Sequence, residues 1–110
     1  AAADGDDVSW VRVAPAASIA PGDYATADLD DGFVAVFNVG GEFFAIDDVC
    51  THDGGGLAGG AIEDHQVICP RHGARFCLRT GAALSPPAYE PVRCYETRVV
   101  DGIVEVRDAT

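Results

Sequence analysis

The chain has 110 residues and a formal net charge of −11, because 18 acidic residues face seven arginines and no lysine. Binding to nucleic acid or anionic lipid depends on clustered Lys and Arg, so this balance excludes both classes of partner. No run approaches the roughly 18 uncharged apolar residues of a transmembrane helix, and the start, AAADGDD, lacks the features of a secretory signal. We expect one domain over residues 1–110, located in the cytoplasm.

Short apolar runs separated by Gly, Pro and Asp predict an all-β chain of antiparallel strands. Residues 10–13 are predicted to form the opening strand. Residues 32–47, GFVAVFNVGGEFFAID, predict two strands joined at Gly40-Gly41, a two-residue hairpin signal. Residues 93–108, RCYETRVVDGIVEVRD, predict a second hairpin that turns at Asp101-Gly102.

Shorter strands are expected between these two hairpins. Residues 61–68 predict two strands around a turn at Asp64-His65, and residues 75–78 and 82–84 predict a pair around Thr80-Gly81. We assign four apolar side chains of the first hairpin to the core: Phe33, Val36, Phe43 and Phe44.

Two short segments each place a cysteine and a histidine close together where a strand pattern ends in a loop. Their pattern is Cys50-x-His52, sixteen intervening residues, then Cys69-x2-His72. Structural zinc sites usually pair two cysteines on one turn and two histidines on another, whereas here each loop offers one of each. On an extended chain, side chains two positions apart lie about 6–7 Å apart on the same side, which suits two neighbouring metal ions.

The two segments, "CTH" and "CPRHG", resemble the signature of the Rieske [2Fe–2S] proteins. The following stretches "GARFCLRTGAAL" and "SPPAYEPV" and a closing hairpin are similar to the soluble Rieske ferredoxins over about the whole chain. The resemblance implies a Rieske-type β-sandwich or barrel with a cluster-binding subdomain of two loops at about 46–85. It also implies that Cys50 and Cys69 bind one iron and that His52 and His72 bind the other.

The same resemblance implies roles for the residues around the ligands. We expect Gly54, Gly55 and Gly56 to adopt positive φ and to bring backbone amides close to the cluster sulfurs. A proline-bearing loop covers the cluster in the family, and Ser85, Pro86 and Pro87 lie where that loop should be. A plain turn is the alternative.

Three departures from the high-potential respiratory members predict a low reduction potential. Those members join one extra cysteine from each box as a disulfide, and the corresponding positions here are Gly55 and Arg71. They also carry a serine and a tyrosine whose hydroxyls donate to sulfur, and this chain has Ala74 and Phe76 instead. Each lost donor leaves negative charge on sulfur less stabilised, which disfavours reduction. We also expect the protein to lack their membrane anchor.

The resemblance implies a one-electron carrier between a flavin-dependent ferredoxin reductase and the terminal oxygenase of a ring-hydroxylating dioxygenase system. No nucleophile–base pair, phosphate loop or nucleotide fingerprint indicates a reaction of its own. One alternative keeps the cluster but assigns it to a nitrite-reductase-like or other oxidoreductase. A less favoured alternative is a zinc-stabilised binding module without a redox role.

Three further potential ligands are assigned structural roles. His65 is predicted to be a surface turn residue, and Cys77 and Cys94 are predicted to be buried thiols. The acidic groups at residues 4–7, 28–31 and 47–48 are interpreted as solvated loop residues that could steer a basic partner.

Overall fold

The computed structural model describes residues 10–29, 32–51, 55–71, 73–86 and 88–108. Within these ranges the secondary structure consists of β-strands and one 3₁₀ turn at Ala16–Ser18. The strands are β1 (Val11–Pro15), β2 (Tyr24–Leu29), β3 (Gly32–Val39), β4 (Glu42–Asp47), β5 (Ile62–Glu63), β6 (Gln66–Ile68), β7 (Arg75–Cys77), β8 (Cys94–Val100) and β9 (Ile103–Asp108). None of these residues forms a helix with the length and apolarity that a bilayer crossing requires.

The strands form two antiparallel sheets. The larger has six strands in the order β1-β9-β8-β4-β3-β2, and the smaller has three in the order β5-β6-β7. The edge strands β1 and β2 also contact each other, so the large sheet curls into a nearly closed barrel. The predicted all-β, antiparallel class is confirmed.

Both predicted hairpins are present at the predicted turns. Val39 pairs with Glu42 across Gly40-Gly41, and Val100 pairs with Ile103 across Asp101-Gly102. Both central residues of each turn have positive φ, with values of 63° and 98° at the first turn and 51° and 77° at the second. This backbone twist matches that of the flanking strands, so Gly and Asp are favoured at these positions.

The smaller strands follow the predictions less closely. The turn at Asp64-His65 joins β5 to β6 as expected, with φ of 49° and 61°. The predicted pair around Thr80-Gly81 is reduced to β7 and one isolated bridge, between Phe76 and Ala83. β2 lies where no strand was predicted, because its half-buried face presents alanine and leucine and carries little β-branched or aromatic signal.

Strand β3 is buried on both faces because an apolar cluster lies on each side of it. Val34 and Val36 belong to the cluster with Ile19 and Tyr95, and Ala35 and Phe37 belong to the cluster beneath the small sheet. A strand that is covered on both faces has a continuous run of apolar residues, and this explains residues 34–37 of the sequence.

The core prediction is confirmed for one of four residues, corrected for one and partly met for two. Val36 is fully buried, and Phe43 and Phe44 are half-buried against the two clusters. Phe33 is 59% exposed, so its assignment to the core was wrong. It pairs with Asp28, which is also exposed, near the end of β2.

A candidate iron–sulfur centre on two loops

The two predicted cysteine ligands lie in the same apolar cluster. Cys50 follows β4 and Cys69 follows β6, and their side chains are 0% and 1% exposed. Both are thiols rather than halves of a disulfide. His52 and His72, the predicted nitrogen ligands, lie outside the described residues, and the described part contains no group of three or more metal-ligating side chains. The ligand set therefore stays a prediction. The structure describes only its two cysteines, whose thiols are shielded from water.

Each ligand-bearing segment is closed by a backbone hydrogen bond from its cysteine. The Cys50 amide donates to the carbonyl of Gly55 over 2.6 Å, and the Cys69 amide donates to the carbonyl of Ala74 over 2.7 Å. Gly73 donates back to the carbonyl of Cys69 over 3.0 Å. Each bond spans the position of one predicted histidine, so both loops have their ends fixed.

Asp48 holds the first loop against the end of β4. Its Oδ1 accepts hydrogen bonds from the amides of Leu57 and Ala58 over 2.7 and 2.8 Å. The interpretation of Asp48 as a solvated residue was wrong, because the carboxylate satisfies two backbone donors of the cluster loop. The only local sequence signal for this role is the position of Asp48 directly after a strand. An Asp at such a position is also typical of an ordinary turn.

Two glycines of the first loop have a charged side chain close to the position of a Cβ, and neither has an unusual backbone conformation. A Cβ at Gly55 would lie 2.6 Å from Cζ of Arg71, and one at Gly56 would lie 3.1 Å from Oδ1 of Asp48. Neither has a positive φ, so that expectation was wrong for both, and Gly54 lies outside the described residues. The Arg71 side chain thus reaches from the second loop onto the backbone of the first.

Ser85, in the segment predicted to cover the cluster, and Glu90, just after that segment, are hydrogen-bonded beside the two loops. The Thr51 hydroxyl donates to the carbonyl of Glu90 over 2.7 Å, and the Arg75 amide donates to Ser85 Oγ over 3.1 Å. Pro87 lies outside the described residues. These contacts place Ser85 and Glu90 next to the ligand-bearing loops.

Comparison with known families decides between an iron–sulfur cluster and zinc. The Rieske [2Fe–2S] domain matches residues 9–96. The chain belongs to the Rieske family. Its cofactor is therefore a [2Fe–2S] cluster, as predicted, and the zinc-module alternative is not supported.

Relatives within the Rieske family include ferredoxins of dioxygenase systems. The ferredoxin subunit of 3-phenylpropionate/cinnamic acid dioxygenase from Escherichia coli K12 is 40% identical over 93 residues, which cover 84% of this chain and 87% of that protein. The complex of oxygenase and ferredoxin in carbazole 1,9a-dioxygenase contains a chain that is 32% identical with a TM-score of 0.83, covering 90% of this chain and 93% of that one.

A protein described as the small subunit of an NADH-dependent nitrite reductase from Mycobacterium tuberculosis shares the fold at lower identity. It is 25% identical with a TM-score of 0.80, and the alignment covers 92% of this chain and 96% of that one. The prediction of a Rieske-type ferredoxin is confirmed by the family match and by the dioxygenase ferredoxins together.

The described residues fit a Rieske cluster. Soft thiolates suit iron–sulfur ligation, and Cys50 and Cys69 present theirs in a dry environment on two loops that Arg71 brings into contact. When bound, the cluster accepts and releases one electron at a time. The chain's own contribution is to position the thiols, exclude water from them and fix the hydrogen bonds around them.

The positions of the two missing hydroxyl donors are buried beside the second loop. Ala74 and Phe76 are both 0% exposed, and Phe76 pairs with Val67 in the small sheet. Neither side chain can donate a hydrogen bond to sulfur. The environment of the cluster is therefore apolar here.

Of the three residues assigned structural roles, His65 lies in its predicted turn, whereas Cys77 and Cys94 are not buried as predicted. His65 is half-buried, with its ring edge-on to Phe44 at 5.5 Å and its Nε2 3.2 Å from the Arg79 guanidinium. Cys77 and Cys94 are partly exposed, so the expectation of buried thiols was wrong. Among the acidic residues, Asp47 is an ion-pair partner of Arg93, with an N–O distance of 3.5 Å, while Asp28 is exposed as expected.

Proposed function

We propose that the chain is the ferredoxin component of a ring-hydroxylating dioxygenase system and performs no catalysis of its own. It carries single electrons from a flavin-dependent ferredoxin reductase to the terminal oxygenase. The observation that carries this proposal is its 40% identity to a dioxygenase ferredoxin subunit over 84% of the chain. The likeness to a ferredoxin in complex with its oxygenase supports the oxygenase as partner.

We assign the cluster ligands as Cys50 and Cys69 on one iron and His52 and His72 on the other. The burial of both thiols in one apolar cluster supports the sulfur half of this assignment. The spacing of the histidines within the two closed loops supports the nitrogen half. We treat residues 1–110 as one domain whose cluster-binding part extends over about 46–85.

The assignment implies a direction for electron transfer. Because Cys50 and Cys69 are shielded from solvent, the thiolate-bound iron would be the inner one. The histidine-bound iron would then be nearer the surface, and the imidazole edges of His52 and His72 would form the exit for the electron. A partner would dock at this end, next to Glu90 and its neighbour Tyr89, which is 81% exposed.

The apolar surroundings of the cluster support a low potential. Ala74 and Phe76 offer no hydroxyl to the sulfurs, so reduction adds negative charge that these positions do not stabilise. A cytoplasmic location is part of the same proposal, since thiols stay reduced in that compartment and the cysteines here are thiols.

A second candidate is an electron-transfer subunit of a nitrite-reductase-like oxidoreductase. The 25% identity to the nitrite reductase small subunit supports it, but the dioxygenase ferredoxin is closer at 40%. Stopped-flow reduction by candidate flavoprotein reductases, followed by reoxidation with a terminal oxygenase, distinguishes the two. Transfer to an oxygenase supports the first candidate, and transfer only to a nitrite reductase supports the second.

The cofactor and its ligands are tested on the purified protein. Iron and acid-labile sulfide should be equimolar, with a Rieske electron-paramagnetic signal after reduction. His72→Ala should abolish the cluster, whereas the matched control His65→Ala should leave the visible spectrum unchanged. Loss of the spectrum in His65→Ala would refute the ligand assignment.

A further inference from the structure

An arginine of the second ligand-bearing loop lies against the backbone of the first. A Cβ at Gly55 would lie 2.6 Å from both Cζ and Nη2 of Arg71 and 2.9 Å from its Nε. These three atoms belong to one planar guanidinium, so the group lies across the space that a side chain at residue 55 would fill. A Cβ does not approach other heavy atoms this closely, so Arg71 can hold this position only while residue 55 is glycine.

The residue under the guanidinium is bonded directly to a proposed ligand. The carbonyl of Gly55 accepts the amide of Cys50 over 2.6 Å, and this bond closes the first loop. Arg71 lies between Cys69 and Ala74 in the sequence, and the bond of 2.7 Å from the amide of Cys69 closes the second loop. Arg71 therefore contacts the first loop at the residue that fixes Cys50, while its own backbone lies in the turn that follows Cys69.

The contact depends on space and charge rather than on backbone conformation. Gly55 has no positive φ, so an alanine there would cause no backbone strain and would act by displacing the guanidinium. A Cβ at the adjacent Gly56 would instead meet the carboxylate of Asp48, at 3.1 Å from Oδ1. The first loop therefore has a cation against one glycine and an anion against the next, and the cation comes from the segment that carries the other ligands.

We propose that Arg71 is a positioning residue whose guanidinium, held on Gly55, links the two ligand-bearing loops and raises the reduction potential of the cluster. This inference rests on the proposed ligand set. Reduction adds one negative charge to the centre, and a permanent cation held at both loops stabilises that charge. Because Arg71 is exposed to solvent, the effect is modest and depends on ionic strength.

The experiment is a redox titration of the purified, cluster-loaded protein at low and high salt, followed by its visible and electron-paramagnetic spectra. At low salt, Arg71→Ala should make reduction about threefold less favourable, which corresponds to a fall of about 28 mV. The difference should shrink at about 1 M salt, where the Debye length is about 3 Å. Arg12→Ala is the matched control, because it removes an arginine charge from β1, and it should leave the potential unchanged.

Gly55→Ala tests whether the charge acts from its position on the first loop. Displacement of the guanidinium should lower the potential by part of the Arg71→Ala effect. In an Arg71→Ala background the new methyl group meets no guanidinium, so Gly55→Ala should then change nothing. Arg71→Lys keeps the charge but replaces the planar group by a strongly hydrated ammonium, and its potential should lie between those of the unmodified chain and Arg71→Ala.

The link between the loops has its own measurement. Loss of visible absorbance in the presence of an iron chelator should be faster in Arg71→Ala and Gly55→Ala than in Arg12→Ala, because the first two variants remove the contact between the loops.

Three results would overturn the proposal. They are an equal fall of the potential in Arg12→Ala, a fall in Arg71→Ala that is independent of salt, and a Gly55→Ala effect that persists in full without Arg71. If Arg71→Ala does not load the cluster, Gly55→Ala decides, and an unchanged potential in that variant would overturn the proposal. The ligand set is refuted by a different result, a cluster that persists in His72→Ala, so the two failures are distinguishable.

Discussion

Asp48 Oδ1 lies 2.7 Å from the amide nitrogen of Leu57, so a carboxylate at the end of β4 closes the loop that carries the first two proposed cluster ligands. The same oxygen accepts from Ala58 over 2.8 Å. Cys50 lies between the two partners in sequence and is fully buried. The position of a proposed ligand thiol therefore depends on a side chain outside the proposed ligand set.

Replacing Asp48 should loosen this loop. Asp48→Ala removes two charge-assisted hydrogen bonds and should lower the free energy of unfolding by about 2 kcal/mol or more, with faster loss of the cluster on heating. Asp48→Asn retains an acceptor oxygen without the charge and should lose about half as much. Thermal unfolding and the decay of visible absorbance measure both effects. The exposed Asp28→Ala is the control, and an equal effect there would contradict the proposed role.

Restoring two hydroxyl groups should raise the reduction potential. In Ala74→Ser with Phe76→Tyr, the new donors would stabilise the added negative charge on sulfur, and one tenfold change in equilibrium corresponds to about 59 mV for one electron. We expect a rise on the order of 60 mV in a redox titration. Phe33→Tyr adds a hydroxyl to an exposed ring and should not shift the potential. A fall, or no change, in the double variant would contradict the hydrogen-bond account.

Two glycine-to-alanine substitutions should lower the free energy of unfolding by different amounts, because the groups next to the two glycines differ in flexibility. A Cβ at Gly60 would lie 2.1 Å from the carbonyl oxygen of Ile68, whereas one at Gly55 would meet the Arg71 side chain. Gly60→Ala must displace backbone and should destabilise the protein by about 3 kcal/mol or more. Gly55→Ala should cost less than about 1 kcal/mol because Arg71 can change rotamer. Chemical denaturation measures both, and equal losses would show that Arg71 is as constrained as the backbone.

Tyr95→Phe should weaken the contact between β8 and the end of β4. The Tyr95 hydroxyl donates to Oδ1 of Asp47 over 2.5 Å, and the ring is 6% exposed. Loss of a hydrogen bond to a charged acceptor should lower the free energy of unfolding by about 1.5 kcal/mol or more. Tyr89→Phe is the matched control, since Tyr89 is 81% exposed, and it should be neutral within about 0.5 kcal/mol.

Local features of the fold could be predicted because each depends on a few adjacent residues. The turns at Gly40-Gly41 and Asp101-Gly102 need positive φ, and their sequences provide it. β2 could not be predicted, because the alanines of its half-buried face acquire their strand conformation from pairing with β3. The assignment of Phe33 to the core was wrong for a similar reason, because a side chain on a sheet is buried only where another element covers it.

The sequence by itself determined the strand class, both main hairpins and the family, because the Cys/His spacing and the turn residues are recorded in short contiguous stretches. The tertiary structure alone decided that Asp48 closes the first loop, that Arg71 lies on Gly55 and that the Cys94 thiol meets the carbonyl of Arg79. Each of these relationships joins side chains or backbone groups brought together by the packing of the two sheets. A polar or reactive group acquires its role from whatever distant segment lies opposite it, and periodicity along the chain carries no information about that partner.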